Sequence, residues 1–198
     1  MKIMRSFERV STEWKNGGGI TREVASGPPG ASLDDFTWRV SLADVALGGP
    51  FSVFSGIDRI LAVVDGPGMT LVVDGVPHRV DPYEPFTFSG DAVTVGTLLG
   101  GPIVDLNVMV RRAKATAQVR IVRDRASMQS RRNVCVLAIP LTGSAVLQRA
   151  DVTLERLDAA ILSDGELDTL SVTGVTAVVT LTPRQTSQPL TTDFCSSG

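Results

Sequence analysis

The sequence predicts an all-β protein built as a sandwich or barrel, and three observations carry that expectation. Short apolar runs rich in Val, Ile and Leu recur at intervals of about ten residues. Between them stand turn-forming pairs such as Asp74-Gly75, Asp164-Gly165 and Thr173-Gly174, and the 19 Gly and 11 Pro are scattered as many tight turns require. No segment sustains a helical period.

A chain of 198 residues suffices for one large β domain or two small ones with a real core. With 43% hydrophobic and 20% charged residues it reads as globular rather than disordered. The net charge of −2 offers no general attraction to nucleic acid or to an anionic membrane. No apolar run is long enough to span a bilayer as a helix. The opening MKIMRSFERV lacks an apolar core, so no signal peptide is expected. Cys135 sits in an apolar run and Cys195 in a polar tail, which reads as two unpaired thiols and a cytoplasmic protein.

Taken in order, Lys2 to Val10 reads as a first strand. Trp14-Lys15-Asn16-Gly17-Gly18-Gly19 follows, then a second strand, Ile20 to Val24. The glycine run is either an anion-binding nest of backbone N–H groups or a tight connection. It has no P-loop Lys-Ser/Thr and no helix after it, which favours the connection. Phe36 to Val45 alternates as a half-buried strand, with Phe36, Trp38, Val40 and Leu42 on one face and Arg39 on the other. Ile60 to Val64 and Met69 to Val73, joined by Asp65-Gly66-Pro67-Gly68, read as a β-hairpin. Arg59 enters that hairpin on the face of Leu61 and Val63. Ile103 to Arg112 divides by parity into Val104, Leu106, Val108 and Val110 against Asp105, Asn107, Met109 and Arg111. In a flat sheet the polar side would face water; in a barrel it would line a wet pocket.

Beyond Ala113 the chemistry thins. Val134 to Ile139 and Ser144 to Leu147 read as a second hairpin around Pro140-Leu141-Thr142-Gly143. Asp158 to Ser163, Leu167 to Val172 and Val175 to Leu181 continue the strand rhythm, and the Ser/Thr-rich end reads as loose. A weak internal repeat, Leu61-Ala62-Val63 with Leu71 against Leu137-Ala138-Ile139 with Leu147, favours two barrel units. The expected organisation is residues 1–112 as a first barrel carrying the pocket, 113–190 as a more scaffold-like second barrel, and 191–198 as a loose tail.

Several motifs share one order with a known family. Trp14 to Gly19 with Thr21-Arg22-Glu23, Trp38-Arg39-Val40-Ser41, Gly49-Pro50-Phe51-Ser52, Gly56-Ile57-Asp58-Arg59, Gly66-Pro67-Gly68-Met69 and Asp105 to Arg112 resemble the HutD/Ves family. The resemblance covers about Met4 to Arg112. It implies a cupin-like (RmlC-like jelly-roll) double barrel, or bicupin, without an obligatory metal. It further implies a regulator linked to histidine utilisation that binds a small organic acid, with urocanate or N-formylglutamate as candidates.

The chemistry of the residues agrees. A catalytic cupin holds its metal with several histidines, and this chain has one, His78. No cofactor or metal is expected. Cys135 reads as a small buried hydrophobe, and no Gly-x-Ser-x-Gly elbow exists. The enzymatic alternative is a metal-independent epimerase using His78 or Tyr83 as acid and base. Arginines are the stronger feature, because a guanidinium fork takes a carboxylate by two parallel hydrogen bonds. Arg59 is the first candidate to hold the ligand. Arg39, Asn107, Met109 and Arg111 are candidate pocket residues, with Asn16, Gly17 and Gly18 as a pocket loop. Arg22 and Arg39 taken singly fit structural ion pairs. The expected partner is a small organic acid, not nucleic acid or membrane, and a homodimer is left open.

Overall fold

In the computed structural model, residues 1–14, 17–184 and 194–195 are described. Strands of the N-terminal half are β1 (Lys2–Met4), β2 (Ser11–Glu13), β3 (Gly19–Gly27), β4 (Trp38–Val45), β5 (Gly49–Pro50), β6 (Ile57–Asp65), β7 (Met69–Val73), β8 (Val76–Val80), β9 (Phe86–Ser89), β10 (Thr94–Leu98) and β11 (Ile103–Arg111). The rest are β12 (Ala115–Val122), β13 (Arg125–Gln129), β14 (Cys135–Leu147), β15 (Val152–Leu154), β16 (Ala159–Leu162) and β17 (Leu167–Pro183). One 3-10 turn, Ser6–Glu8, is the sole helical element among the described residues.

Three antiparallel sheets result. A six-stranded sheet runs β2-β3-β4-β11-β6-β9, and a four-stranded sheet runs β5-β10-β7-β8. The third has seven strands, β1-β16-β14-β17-β12, with β13 on β17 and β15 on β14. The six-stranded sheet is the middle layer. Its Trp38, Val40, Leu42, Leu106 and Val108 pack on Leu137, Ile139, Ala177 and Val179 of the seven-stranded sheet. Its other face meets the four-stranded sheet through Ala43, Leu61, Val63, Met69 and Leu71. A separate apolar cluster, including Met128, Val136, Leu147 and Leu170, lies on the seven-stranded sheet's other face. β1, from the chain's start, pairs with β16 of the C-terminal half.

The expected central hairpin does not form. β6 belongs to the six-stranded sheet and β7 to the four-stranded one. Gly66 (φ +91) and Gly68 (φ +103) turn the chain around a corner between sheets instead of back onto β6. A Cβ at Gly66 would lie 2.5 Å from the Pro102 carbonyl oxygen, so the corner is packed too closely for a side chain. The tight hairpin lies one turn later, where Asp74 (φ 48) and Gly75 (φ 84) join β7 to β8 in the primed geometry that suits strand twist. The second expected hairpin is likewise one continuous strand, β14, and Pro140 marks a register shift in its pairing with β17 rather than a chain reversal. Leu167 to Leu181 is also continuous across Thr173-Gly174.

The expected first strand is broken as well. Lys2–Met4 is extended, Ser6–Glu8 is a 3-10 turn, and Asp158 receives the Ser6 N–H at 2.8 Å and the Arg5 guanidinium at 2.7 Å. The cysteines are not free: Cys135 and Cys195 form a disulfide with Cα atoms 5.7 Å apart. Phe194 and Cys195 are buried in the core between the six- and seven-stranded sheets, and the Trp38 indole N–H donates to the Phe194 carbonyl at 2.8 Å. These two residues are therefore fixed where a loose tail was expected; the others of 191–198 lie outside the described residues. The apolar run around Cys135 hid the pairing, because its partner comes from sequence that looks unstructured.

Candidate functional site

Strand register places the polar side of β11 against the polar side of its neighbours. Met109 stands between Arg39 of β4 and Arg59 of β6, and Arg59 in turn is opposite Phe88 of β9. One step along the same face, Asn107 stands between Ser41 and Leu61, with Phe86 beyond; another step on, Asp105 stands between Ala43 and Val63. This face looks toward the four-stranded sheet, not toward water. The polar parity that in a flat sheet would be solvated is here interior. Asn107, in a central strand, is half-buried.

Arg59 is the centre of this interior. It is only 4% exposed, and no described residue pairs with it as a salt bridge. Its guanidinium carbon lies 5.0 Å from the Phe88 ring centre, 5.1 Å from Phe51 and 5.6 Å from Phe54. Ring quadrupoles stabilise the cation but provide no hydrogen-bond acceptors in the plane of the fork. Its buried Nε–H accordingly has no partner. Burial pulls the Arg59 pKa down to about 10, partly offset by the charge of Asp105, so it is cationic at neutral pH.

Two acceptors in the same interior are also orphaned. Asp105, 2% exposed, has an unpartnered Oδ1, and so does Asn107. Burial drives the Asp105 pKa up to about 7; the Arg59 charge pulls it down and the Asp44 charge pushes it further up. An unmatched buried donor or acceptor costs roughly 1–3 kcal/mol, more when charged. Three such groups on neighbouring positions of one sheet face are left unsatisfied by the fold's own described groups.

The aromatic cover over Arg59 comes from a short segment, Phe51 to Gly56. It is tied at one end by the Phe51 N–H to the Thr94 carbonyl and at the other by the Gly56 N–H to Asp91. Gly96 of β10 makes room for it: a Cβ there would lie 2.8 Å from the Phe51 ring. That Phe51 and Phe88 face Arg59 was not legible in the sequence, because it depends on three separate segments meeting.

The remaining sequence candidates divide. Met109 lies in the same row but packs with Phe36 and Ile57. Arg39 donates from Nε to Glu23 at 2.7 Å, so its charge is already matched, and Arg22 is matched by Asp44 at 2.6 Å. Arg111 is held outside the interior, with Nε to the Phe36 carbonyl at 3.2 Å and Nη2 to the Asp34 carbonyl at 2.6 Å. Gly17 and Gly18 form a hydrogen-bonded turn, with Gly17 N–H to Trp14 and the Gly18 carbonyl accepting from Ala46; Asn16 lies outside the described residues. His78 is half-buried on the edge strand β8, its ring tilted against that of Phe86 with centres 4.7 Å apart. Tyr83 packs on the other core and under Arg123, so the structure does not bring these two together as an acid–base pair. Among the described residues no three or more His, Cys, Asp or Glu gather in a group suited to a metal ion. Two open surface depressions, of about 550 Å³ beside Leu47 and Val95 and about 630 Å³ beside Arg111, Arg112 and Arg184, contain none of the orphaned groups.

Comparison with known proteins adds to this geometry. The HutD family model matches residues 6–181. Over 121 residues the chain is 40% identical to an uncharacterised 21.2 kDa protein in the hutC 3′ region of Pseudomonas putida, covering 61% of this chain and 63% of that one. It is 41% identical over 110 residues to protein Ves of Citrobacter koseri, covering 54% and 56%. The chain thus matches about three fifths of the length of these curated relatives. Among solved structures, HutD of Pseudomonas fluorescens SBW25, determined in a formate condition, superposes with a TM-score of 0.82 at 32% identity, covering 93% of this chain and 99% of that one. The fold is all-β and cupin-like, and the chain belongs to the HutD family.

Proposed function

We propose that this chain is a metal-free binder of a small carboxylate, acting as a regulator linked to histidine utilisation. The observation that carries the reading is Arg59: a buried guanidinium with no carboxylate partner and an unpartnered Nε–H, walled by three phenylalanines. A ligand carboxylate would supply what the rings cannot, two parallel acceptors in the plane of the fork. The gene neighbourhood in the name of the Pseudomonas putida relative supports the pathway, with urocanate and N-formylglutamate as candidate ligands. In this reading the six- and four-stranded sheets make a first, ligand-holding barrel and the seven-stranded sheet a second, scaffolding one, a bicupin split near residue 112. A cytoplasmic location goes with a catabolic pathway; the cysteines lend it no support, since they are paired.

The test is a thermal-shift screen of small acids, including formate, urocanate and N-formylglutamate, followed by calorimetry on Arg59→Ala and Arg59→Lys. Arg59→Ala should weaken the best acid by about 2–4 kcal/mol, mostly the cost of leaving a desolvated carboxylate unpaired. Arg59→Lys should restore only part, because an ammonium lacks the planar pair of donors. Unchanged affinity in Arg59→Ala with an unchanged melting curve would remove Arg59 from the site.

A further inference from the structure

Resting on that reading, the interior says something about the rest of the ligand. Arg59 has a donor to satisfy, and a carboxylate does so. Asp105 Oδ1 and Asn107 Oδ1 are acceptors, and a carboxylate leaves both unmatched. Asp105 and Asn107 are successive inward positions of β11, and Arg59 flanks the next one, Met109. Positions two residues apart on a strand are separated by roughly 7 Å. The strand positions that carry the two acceptors, and the one that Arg59 flanks, therefore follow one another along β11.

We propose that the anion taken by Arg59 belongs to a molecule that also carries an N–H or O–H donor at its far end, received by Asp105 and Asn107. The ligand class is an extended monocarboxylate with a donor at its far end, an amide or azole N–H for example, rather than a simple aliphatic acid. Charge bookkeeping points the same way. A second carboxylate at the far end would bring two anionic groups face to face in a compartment with one unmatched cation. A neutral N–H leaves Arg59 matched by the ligand and Asp105 matched by a donor. Surroundings of Asp105 offer no substitute, since Ala43 and Val63 flank it in register.

The experiment compares shape-matched acids with and without the donor. Urocanate is set against its oxazole analogue, in which ring oxygen replaces N–H, and 4-formamidobutanoate, a monocarboxylate with an amide N–H, against the O-formyl ester of 4-hydroxybutanoate. Calorimetry at pH 8 should show the N–H member of at least one pair binding roughly 10- to 100-fold tighter, the scale of one hydrogen bond to a charged acceptor. That preference should shrink in Asp105→Asn and approach unity in Asp105→Leu, while dependence on Arg59 persists in both. A fold-damaging substitution would weaken both members of a pair and leave their ratio intact, so the ratio separates recognition from structure. Equal affinity of the paired acids in the wild-type chain, with binding still lost in Arg59→Ala, overturns this inference and leaves the carboxylate reading standing. Absence of any Arg59-dependent binding overturns both.

Discussion

The two halves of the molecule bury polar groups in opposite ways. In the C-terminal half, Asp158 accepts from the Ser6 and Glu155 N–H groups and from Arg5. Asp168 accepts from the N–H groups of Arg149, Ala150 and Thr169, and Ser130 accepts from that of Gly165. Each is a clamp that holds a loop or the chain's start, and only the Thr176 hydroxyl is left over among these buried polar residues. Its interior is otherwise an apolar fill of Met128, Val136, Leu147 and Leu170. In the N-terminal half, Arg59, Asp105 and Asn107 each retain an unmet hydrogen bond inside the fold. Matched buried polar groups specify structure; unmatched ones cost stability and persist where something else repays that cost. The two halves thus differ: one is closed by its own contacts, and the other keeps buried polar groups unmatched.

The sharpest break of this comparison is pH. Asp105 has a folded-state pKa raised from 3.8 to about 7, so the native state holds its proton more tightly than the unfolded chain does. Stability from this group is fully present below about pH 4 and is lost as pH rises through about 7, a change of about 4 kcal/mol at roughly 1.4 kcal/mol per unit. Asp158 carries the opposite sign. Burial raises its pKa, but the Ser6 and Glu155 N–H groups and Arg5 outweigh that and hold it below the usual carboxylate range. Its contribution is present above about pH 4 and lost below. Denaturant unfolding of Asp105→Leu between pH 4.5 and 8 should show the variant gaining on the wild type as pH rises. Parallel curves would mean that Asp105 is already satisfied. Next in size is Asp158→Ala at pH 7.5, which should cost on the order of 2 kcal/mol by unmatching the part-buried Ser6 and Glu155 N–H groups and removing the carboxylate partner of Arg5, which keeps the Thr153 carbonyl. A loss under 1 kcal/mol would show that the clamp on the chain's start is dispensable.

This contrast was partly legible in the residues themselves. Strand rhythm and turn chemistry reveal the all-β class, and parity along Ile103 to Arg111 puts Asp105, Asn107 and Met109 on one side. Arg59 stands out because a guanidinium shares a face with Leu61 and Val63. Connectivity was not legible, since Asp65-Gly66-Pro67-Gly68 reads equally as a hairpin turn and as a corner between sheets, and only the partners of β6 and β7 decide. Continuous strands were hidden for a similar reason: Pro140 and Gly174 are turn formers that a long bent strand also uses at a register shift. The phenylalanine wall and the Cys135–Cys195 link are non-local, made by segments far apart in sequence, and no local pattern encodes them.

The smallest effect is expected where the two arginines of one row are set against each other. Arg39 and Arg59 flank the same residue, Met109, and differ in burial and in what already holds them. Arg39 is bound to Glu23 at 2.7 Å and is partly exposed, so neutralising it exchanges one half-solvated ion pair for water. Such pairs contribute about 0–1 kcal/mol. Arg39→Gln should therefore shift the unfolding free energy by less than about 1 kcal/mol and change carboxylate affinity by less than about threefold. The variant also unmatches Glu23, whose Oε1 still accepts from the Ser26 hydroxyl at 2.9 Å, so the carboxylate remains anchored and does not become a competitor for Arg59. Calorimetry with the acid that best protects the wild type, run on Arg39→Gln beside Arg59→Ala, reads the difference directly. Comparable losses in the two variants would mean that the ligand bridges both guanidiniums and displaces Glu23, and the site would then extend across the whole row from β4 to β6.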